Sequence, residues 1–128
     1  MDTAAKNILV VDDDPQLRLA LSHILRRLGH HVDQAENGHR ALQSITAHRT
    51  GYDLVVMDII MPDKEGIETI LELRKMRPQL KIIAMSGGGR LYDFDPLKLA
   101  TDCGANFVIA KPFEPAAMRR MVEACLEA

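Results

Sequence analysis

Five short strand-like runs alternate strictly with helical stretches, and that alternation constrains the fold more than any other property of the chain. The runs are Ile8–Val11, His31–Ala35, Leu54–Met57, Lys81–Met85 and Asn106–Ala110. After each, apolar residues recur at helical spacing. The first helix carries Leu17, Ala20, Leu21, Ile24, Leu25 and Leu28, with Asp14 as its cap, Pro15 in its first turn and Gly29 at its end. Asn37-Gly38 reads as a turn, and a second helix with Ala41, Leu42 and Ile45 inward runs to about His48. Ile67, Ile70, Leu71 and Leu73 mark a third helix that stops near Pro78. Leu97–Cys103 is a short fourth helix ended by Gly104, and Met118, Met121, Val122, Cys125 and Leu126 share one face of a fifth. Strict alternation predicts a parallel sheet with helices on both faces.

The third run reads as the most buried, and the polar second run belongs at or near a sheet edge. Two sheet orders are common for such chains. The flavodoxin-like doubly wound order 2-1-3-4-5 puts the switch point between strands one and three. Those strands run into Asp12-Asp13-Asp14 and Asp58. The order that gathers these carboxylates at one crevice is therefore favoured: an α/β fold with a five-stranded parallel sheet and five helices.

Carboxylates gathered at a sheet rim repel one another unless a cation joins them. Oxygen donors suit a hard divalent ion, and Mg²⁺ takes few carboxylates while keeping several waters. Asp14 has a plain capping role, and an acid triplet alone would be a polar turn. Two further strand ends carry compatible groups: strand four leads to Ser86 and strand five to Lys111. A cation site, a nucleophilic carboxylate, a hydroxyl and an ammonium on one rim are the groups that phosphoryl transfer requires. Asp58 is the candidate nucleophile.

Composition narrows the setting. The chain has 128 residues, enough for one domain with a full core and too few for two. A net charge of -2 gives no footprint for nucleic acid or a membrane surface. Cys103 and Cys125 have neither paired nor metal-binding spacing and read as free thiols in a reducing compartment. No apolar run reaches the roughly 18 residues of a membrane span. Met1 to Lys6 lacks a signal-peptide core, so a cytoplasmic location is expected. His23, His30, His31, His39 and His48 show no ligand spacing and read as surface residues.

These motifs resemble the receiver domain of two-component response regulators. The resemblance rests on Ile-Leu-Val-Val-Asp12-Asp13-Asp-Pro, Val-Met-Asp58-Ile-Ile-Met-Pro, Ser86-Gly and Lys111-Pro-Phe, and spans nearly the whole chain. It implies a single receiver domain over residues 1–128, with a core of about 7–127. It implies that Asp58 is the phosphoacceptor, and that Asp13, Asp58 and the Ile60 carbonyl ligate Mg²⁺ directly while Asp12 acts through bound water. Ser86 and the Gly87 amide would bind the phosphoryl oxygens, and Lys111 would pair with the carboxylate and then the phosphate. Lys111-Pro112 is expected to be cis. The implied partners are a sensor histidine kinase or histidine phosphotransfer protein and an unspecified downstream protein, with no nucleic acid or membrane. A monomer or weak homodimer is expected, acting as a signalling regulator rather than an enzyme.

Three positions depart from the family pattern. Val108 stands where many receivers keep a switch aromatic, and Phe107 should face the other side of the sheet. The stretch Ser86 to Gly104 is a few residues longer than usual. Within it, Gly87-Gly88-Gly89 reads as a flexible connection or as a lid whose amides gather around a phosphoryl group. Arg90, Tyr92 and Phe94 follow, either as a partner surface or as cover for a short helix. Finally, Ile60 and Gly88 cannot orient a water, which predicts slow self-dephosphorylation. Two other classes compete. A phosphorylation-independent pseudo-receiver is disfavoured by the intact Asp12, Asp13, Asp58, Ser86 and Lys111. An aspartate-nucleophile phosphohydrolase of the haloacid-dehalogenase type needs an acid where Ile60 stands.

Overall fold

The computed structural model describes residues 5–48, 51–60, 66–87 and 95–127. In chain order the elements are β1 (Asn7–Val11), α1 (Pro15–Arg27), β2 (His31–Ala35), α2 (Gly38–Ala47), β3 (Leu54–Asp58), α3 (Gly66–Met76), β4 (Lys81–Ser86), α4 (Pro96–Cys103), β5 (Phe107–Ala110) and α5 (Pro115–Glu127). All five strands pair in parallel, in the order β2-β1-β3-β4-β5. This is the flavodoxin-like doubly wound sheet with five helices. The Met61-Pro62 loop and Gly88, Gly89, Arg90, Tyr92 and Phe94 lie outside the described residues.

Strand alternation divides the core into two layers. Leu9, Val11, Val55, Met57, Ile82 and Ala84 face one side and pack with Ala41, Ile45, Ile70, Leu73 and Ala100 of α2, α3 and α4. Ile8, Val10, Leu54, Val56, Ile83 and Met85 face the other and pack with Leu21, Leu25, Met118, Val122 and Cys125 of α1 and α5. Every residue of β3 is buried, as expected for the central strand. The edge strand β2 buries only Val32 and Ala35. Val108 packs into the first layer and Phe107 into the second, so the two do face opposite sides.

Capping follows side-chain chemistry. Asp14 accepts the amides of Gln16 and Leu17 to start α1, and Asp95 does the same for Leu97 and Lys98 at α4. Each cap is followed by a proline in the first turn. Gly29 (φ 96°) and Gly104 (φ 124°) leave those helices in a backbone region that side chains disfavour.

Four sequence expectations need correction. Asn37-Gly38 does not precede α2 as a separate turn: Asn37 is its N-cap, accepting the Arg40 amide, and Gly38 is its first residue. Leu71 is 45% exposed and Ala20 is also exposed, because the apolar stripes of α3 and α1 are narrower than their spacing implied. Asn106 falls outside β5, where its side-chain oxygen accepts the Ile82 amide and a proton of Arg74. His30 is buried rather than at the surface, and its Nδ1 accepts the Lys6 amide.

Candidate functional site

Sheet register brings the acidic residues together. Ile8 pairs with Leu54 and Val10 with Val56, so one further step along the same face puts Asp12 opposite Asp58. Phe107, Ile109 and then Lys111 continue the same alternation on β5. The outcome is a compact charge cluster. Lys111 Nζ lies 2.9 Å from Asp12 Oδ2 and 3.1 Å from Asp58 Oδ2. Carboxylate oxygens of Asp12, Asp13 and Asp58 all lie within 4.8 Å of one another. Asp12 is fully buried, Asp58 nearly so and Asp13 exposed.

The remaining carboxylate oxygens are also engaged. Asp12 Oδ1 accepts the Asp14 amide at 2.9 Å, and Asp58 Oδ1 accepts the Ile60 amide at 3.0 Å. These bonds fold the chain tightly after each strand and hold the carboxylates at the rim. Burial raises the pKa of Asp58 and outweighs the Ile60 amide and Lys111, which pull it down. Burial alone would lower the pKa of Lys111, but the bonds and charges of Asp12 and Asp58 reverse that, and its net shift is upward. The ammonium is therefore held charged between two carboxylates.

The fourth and fifth strand ends complete the rim. Ser86 follows Ile82 and Ala84 on the face opposite Lys111, and its carbonyl accepts the Lys111 amide at 2.9 Å. Its Oγ is the one buried side-chain polar atom without a hydrogen-bond partner among the described residues. An orphaned buried hydroxyl costs about 1–3 kcal/mol, so the position needs a reason beyond packing. Gly87 adjoins it, and a Cβ there would come within 3.3 Å of the Lys111 Cβ. The Lys111-Pro112 peptide is cis, as expected.

Three carboxylates with an ammonium shared between two of them form a donor set suited to a hard divalent cation. All donors are oxygens, and one carboxylate opens to solvent. Ile60 is exposed, with its amide turned to Asp58. The sequence thus located every charged member of the cluster.

Two supporting residues were missed. Gly66 starts α3 with its amide on the Ile59 carbonyl, and a Cβ there would strike the Ile59 backbone and approach Asp58 O to 2.7 Å. A glycine at a helix start was the available signal. Arg18 donates from Nη1 to the Asp12 carbonyl at 2.7 Å. Its signal was a cation in the first turn of a helix, where the backbone dipole disfavours one.

Comparison with known proteins agrees with this geometry. Residues 8–123 match the family model described as response regulator receiver domain. The chain is 36% identical over 121 residues to the chemotaxis protein CheY of Thermotoga maritima, covering 93% of each. It is 37% identical over 123 residues to the DNA-binding transcriptional regulator NtrC of Azospirillum brasilense. That match takes in 96% of this chain but only 24% of NtrC. A crystal structure of a CheY-like receiver domain protein from Methanospirillum hungatei JF-1 superposes with a TM-score of 0.88 at 28% identity, over 97% of this chain and 95% of that one.

Proposed function

This chain belongs to the response regulator receiver domain family, and from that premise we propose that Asp58 is its phosphoacceptor, with residues 7–127 forming one receiver domain. It acts as an aspartate-phosphorylated signalling module rather than a turnover enzyme. The observation that carries the assignment is the Lys111 ammonium bridging Asp12 and Asp58, with Asp13 completing the acidic cluster.

Asp13, Asp58 and the Ile60 carbonyl would hold Mg²⁺ directly, with Asp12 acting mainly through bound water. Bound there, the ion offsets the repulsion between an anionic carboxylate and an anionic phosphoryl group. Lys111 neutralises Asp58 in the resting state and is already placed to follow charge onto the phosphoryl oxygens. Ser86 has a hydroxyl proton to give and no partner to lose among the described residues. The acyl phosphate brings about two negative charges to a balanced site. Drawing Ser86 and Gly87 toward it shifts an equilibrium in the loops after β4 and β5, which carries the signal.

The phosphoryl donor is a histidine kinase or a histidine phosphotransfer protein, and the output is contact with a further protein in the cytoplasm. A cavity of about 380 Å³, lined by Asp14, Leu17, Gly87, Lys111, Pro112 and Phe113, gives the donor a largely apolar shelf beside Lys111. Incubation with a small phospho-donor and Mg²⁺ should add one phosphate by intact mass. Asp58→Asn should remove that adduct, and Lys111→Ala should abolish signalling, with both variants still folded. An adduct retained by Asp58→Asn would refute the assignment. The exposed apolar side chain of Ile60 cannot direct a water to the acyl phosphate, so the isolated phosphoprotein should decay slowly. A half-life of seconds would count against that.

A further inference from the structure

We propose that Arg18 is a positioning residue for the cation site. Its guanidinium pins the Asp12–Asp13 peptide and so fixes where the two carboxylates stand. The inference rests on reading Asp12, Asp13 and Asp58 as that site.

Arg18 lies in the first turn of α1, its amide on the Asp14 carbonyl. A positive charge there opposes the helix dipole, and the N-cap carboxylate of Asp14, spent on the Gln16 and Leu17 amides, offsets it only in part. A residue that breaks a local rule is expected to serve something outside the helix. Its fork reaches two other elements. Nη1 donates to the Asp12 carbonyl at 2.7 Å, and Nε donates to Gln34 Oε1 at the end of β2 at 3.2 Å. On the helix side, the Arg18 carbonyl accepts the Ser22 hydroxyl at 2.7 Å. Because the guanidinium is planar, two anchored nitrogens fix its orientation.

The carbonyl it holds belongs to the peptide joining Asp12 to Asp13. Peptide units are planar, so holding that oxygen sets the direction in which the chain leaves toward Asp13. The Asp12 amide is already held by the Ala35 carbonyl at 3.2 Å, and its Oδ1 by the Asp14 amide. Arg18 supplies the restraint on the remaining side of this turn. The buried Asp12 and the exposed Asp13 are thereby held in one relation, whether or not a cation is bound.

Charge and position predict opposite outcomes. Charge alone says that removing a cation near an acidic cluster tightens divalent-ion binding. Positioning says that it loosens it. Mg²⁺ and Mn²⁺ should be titrated into the full chain, with amide shifts of Asp13 and Asp14 recorded in the metal-free protein. Arg18→Met should weaken binding about tenfold, the low end for partners that orient metal ligands, and should move those amides before metal is added. Gln34→Leu leaves the charge and the Asp12 bond but removes the second anchor, and should weaken binding to a smaller degree. Unchanged or tighter binding by Arg18→Met overturns the proposal. Should that variant not fold, Arg18→Lys decides: it keeps the charge without the fork, so wild-type affinity refutes positioning and weaker affinity supports it. If the wild-type chain binds neither ion, the reading of the cation site fails instead.

Discussion

The two ends of the sheet treat their polar groups in opposite ways. At the ends where β3 begins and α3 turns into β4, polar groups are matched. Arg74 donates to the carbonyls of Gly104, Pro78 and Leu80 and to Asn106 Oδ1. Tyr52 donates to Asp33 at 2.6 Å, and Asp53 accepts the Asn7 amide. At the opposite rim, two buried carboxylates share one ammonium, a third faces solvent, and Ser86 Oγ has no partner among the described residues. One end is satisfied and holds the fold. The other carries excess negative charge and an unused donor, which is what a site awaiting a cation and a phosphoryl group requires.

Substitutions can test this division, beginning where the effect is largest. Arg74→Ala should cost about 2–4 kcal/mol in denaturant unfolding, because it strands several carbonyls that now accept from a charged donor. Its folded fraction should still take up one phosphate. Loss of uptake with an intact fold would show that the matched end also serves the chemistry. Ser86→Ala should be neutral or stabilising by up to about 1 kcal/mol, since it removes an unpaired buried hydroxyl, while slowing phosphate uptake. A destabilisation of that size would show that Oγ has a partner and that this rim is satisfied too.

The smallest effect concerns His30, again at the matched end. Burial lowers its pKa below 6.5, though Asp53 and Glu123 partly offset this. The ring is neutral, with Nδ1 accepting the Lys6 amide. As pH falls through 6.5 the unfolded chain protonates first. The stabilisation is therefore complete above that value and declines below it, toward the lower folded pKa. Unfolding midpoints measured from pH 8 to pH 5 should fall less steeply for His30→Gln than for the wild type. Parallel profiles would remove His30 from this account.

Periodicity made the fold legible, because buried strands and capped helices leave their pattern in the chain itself. The strand ends made the charged site legible for the same reason: Asp12, Asp58 and Lys111 each stand where an apolar run stops. What escaped were bonds from side chains to distant backbone. Arg18 on the Asp12 carbonyl, Arg74 on Gly104 and Asn106 on Ile82 depend on which elements become neighbours, and no spacing encodes that. Leu71 misled because helical spacing records which residues share a face, and not how wide a stripe the core covers.

The pairing of Val10 with Val56 has a consequence for fidelity. Asp12 and Asp58 have no assembly step of their own, because their meeting is a by-product of the sheet finding its alignment. A slip of one residue would turn Asp58 to the other face and exchange Leu54 and Val56 with Val55 and Met57 between two layers packed for the opposite shapes. Such a chain would be mispacked before it was inactive. Correct folding therefore certifies the chemistry, and a misaligned molecule is removed by its instability rather than left as a folded but silent competitor for its partners.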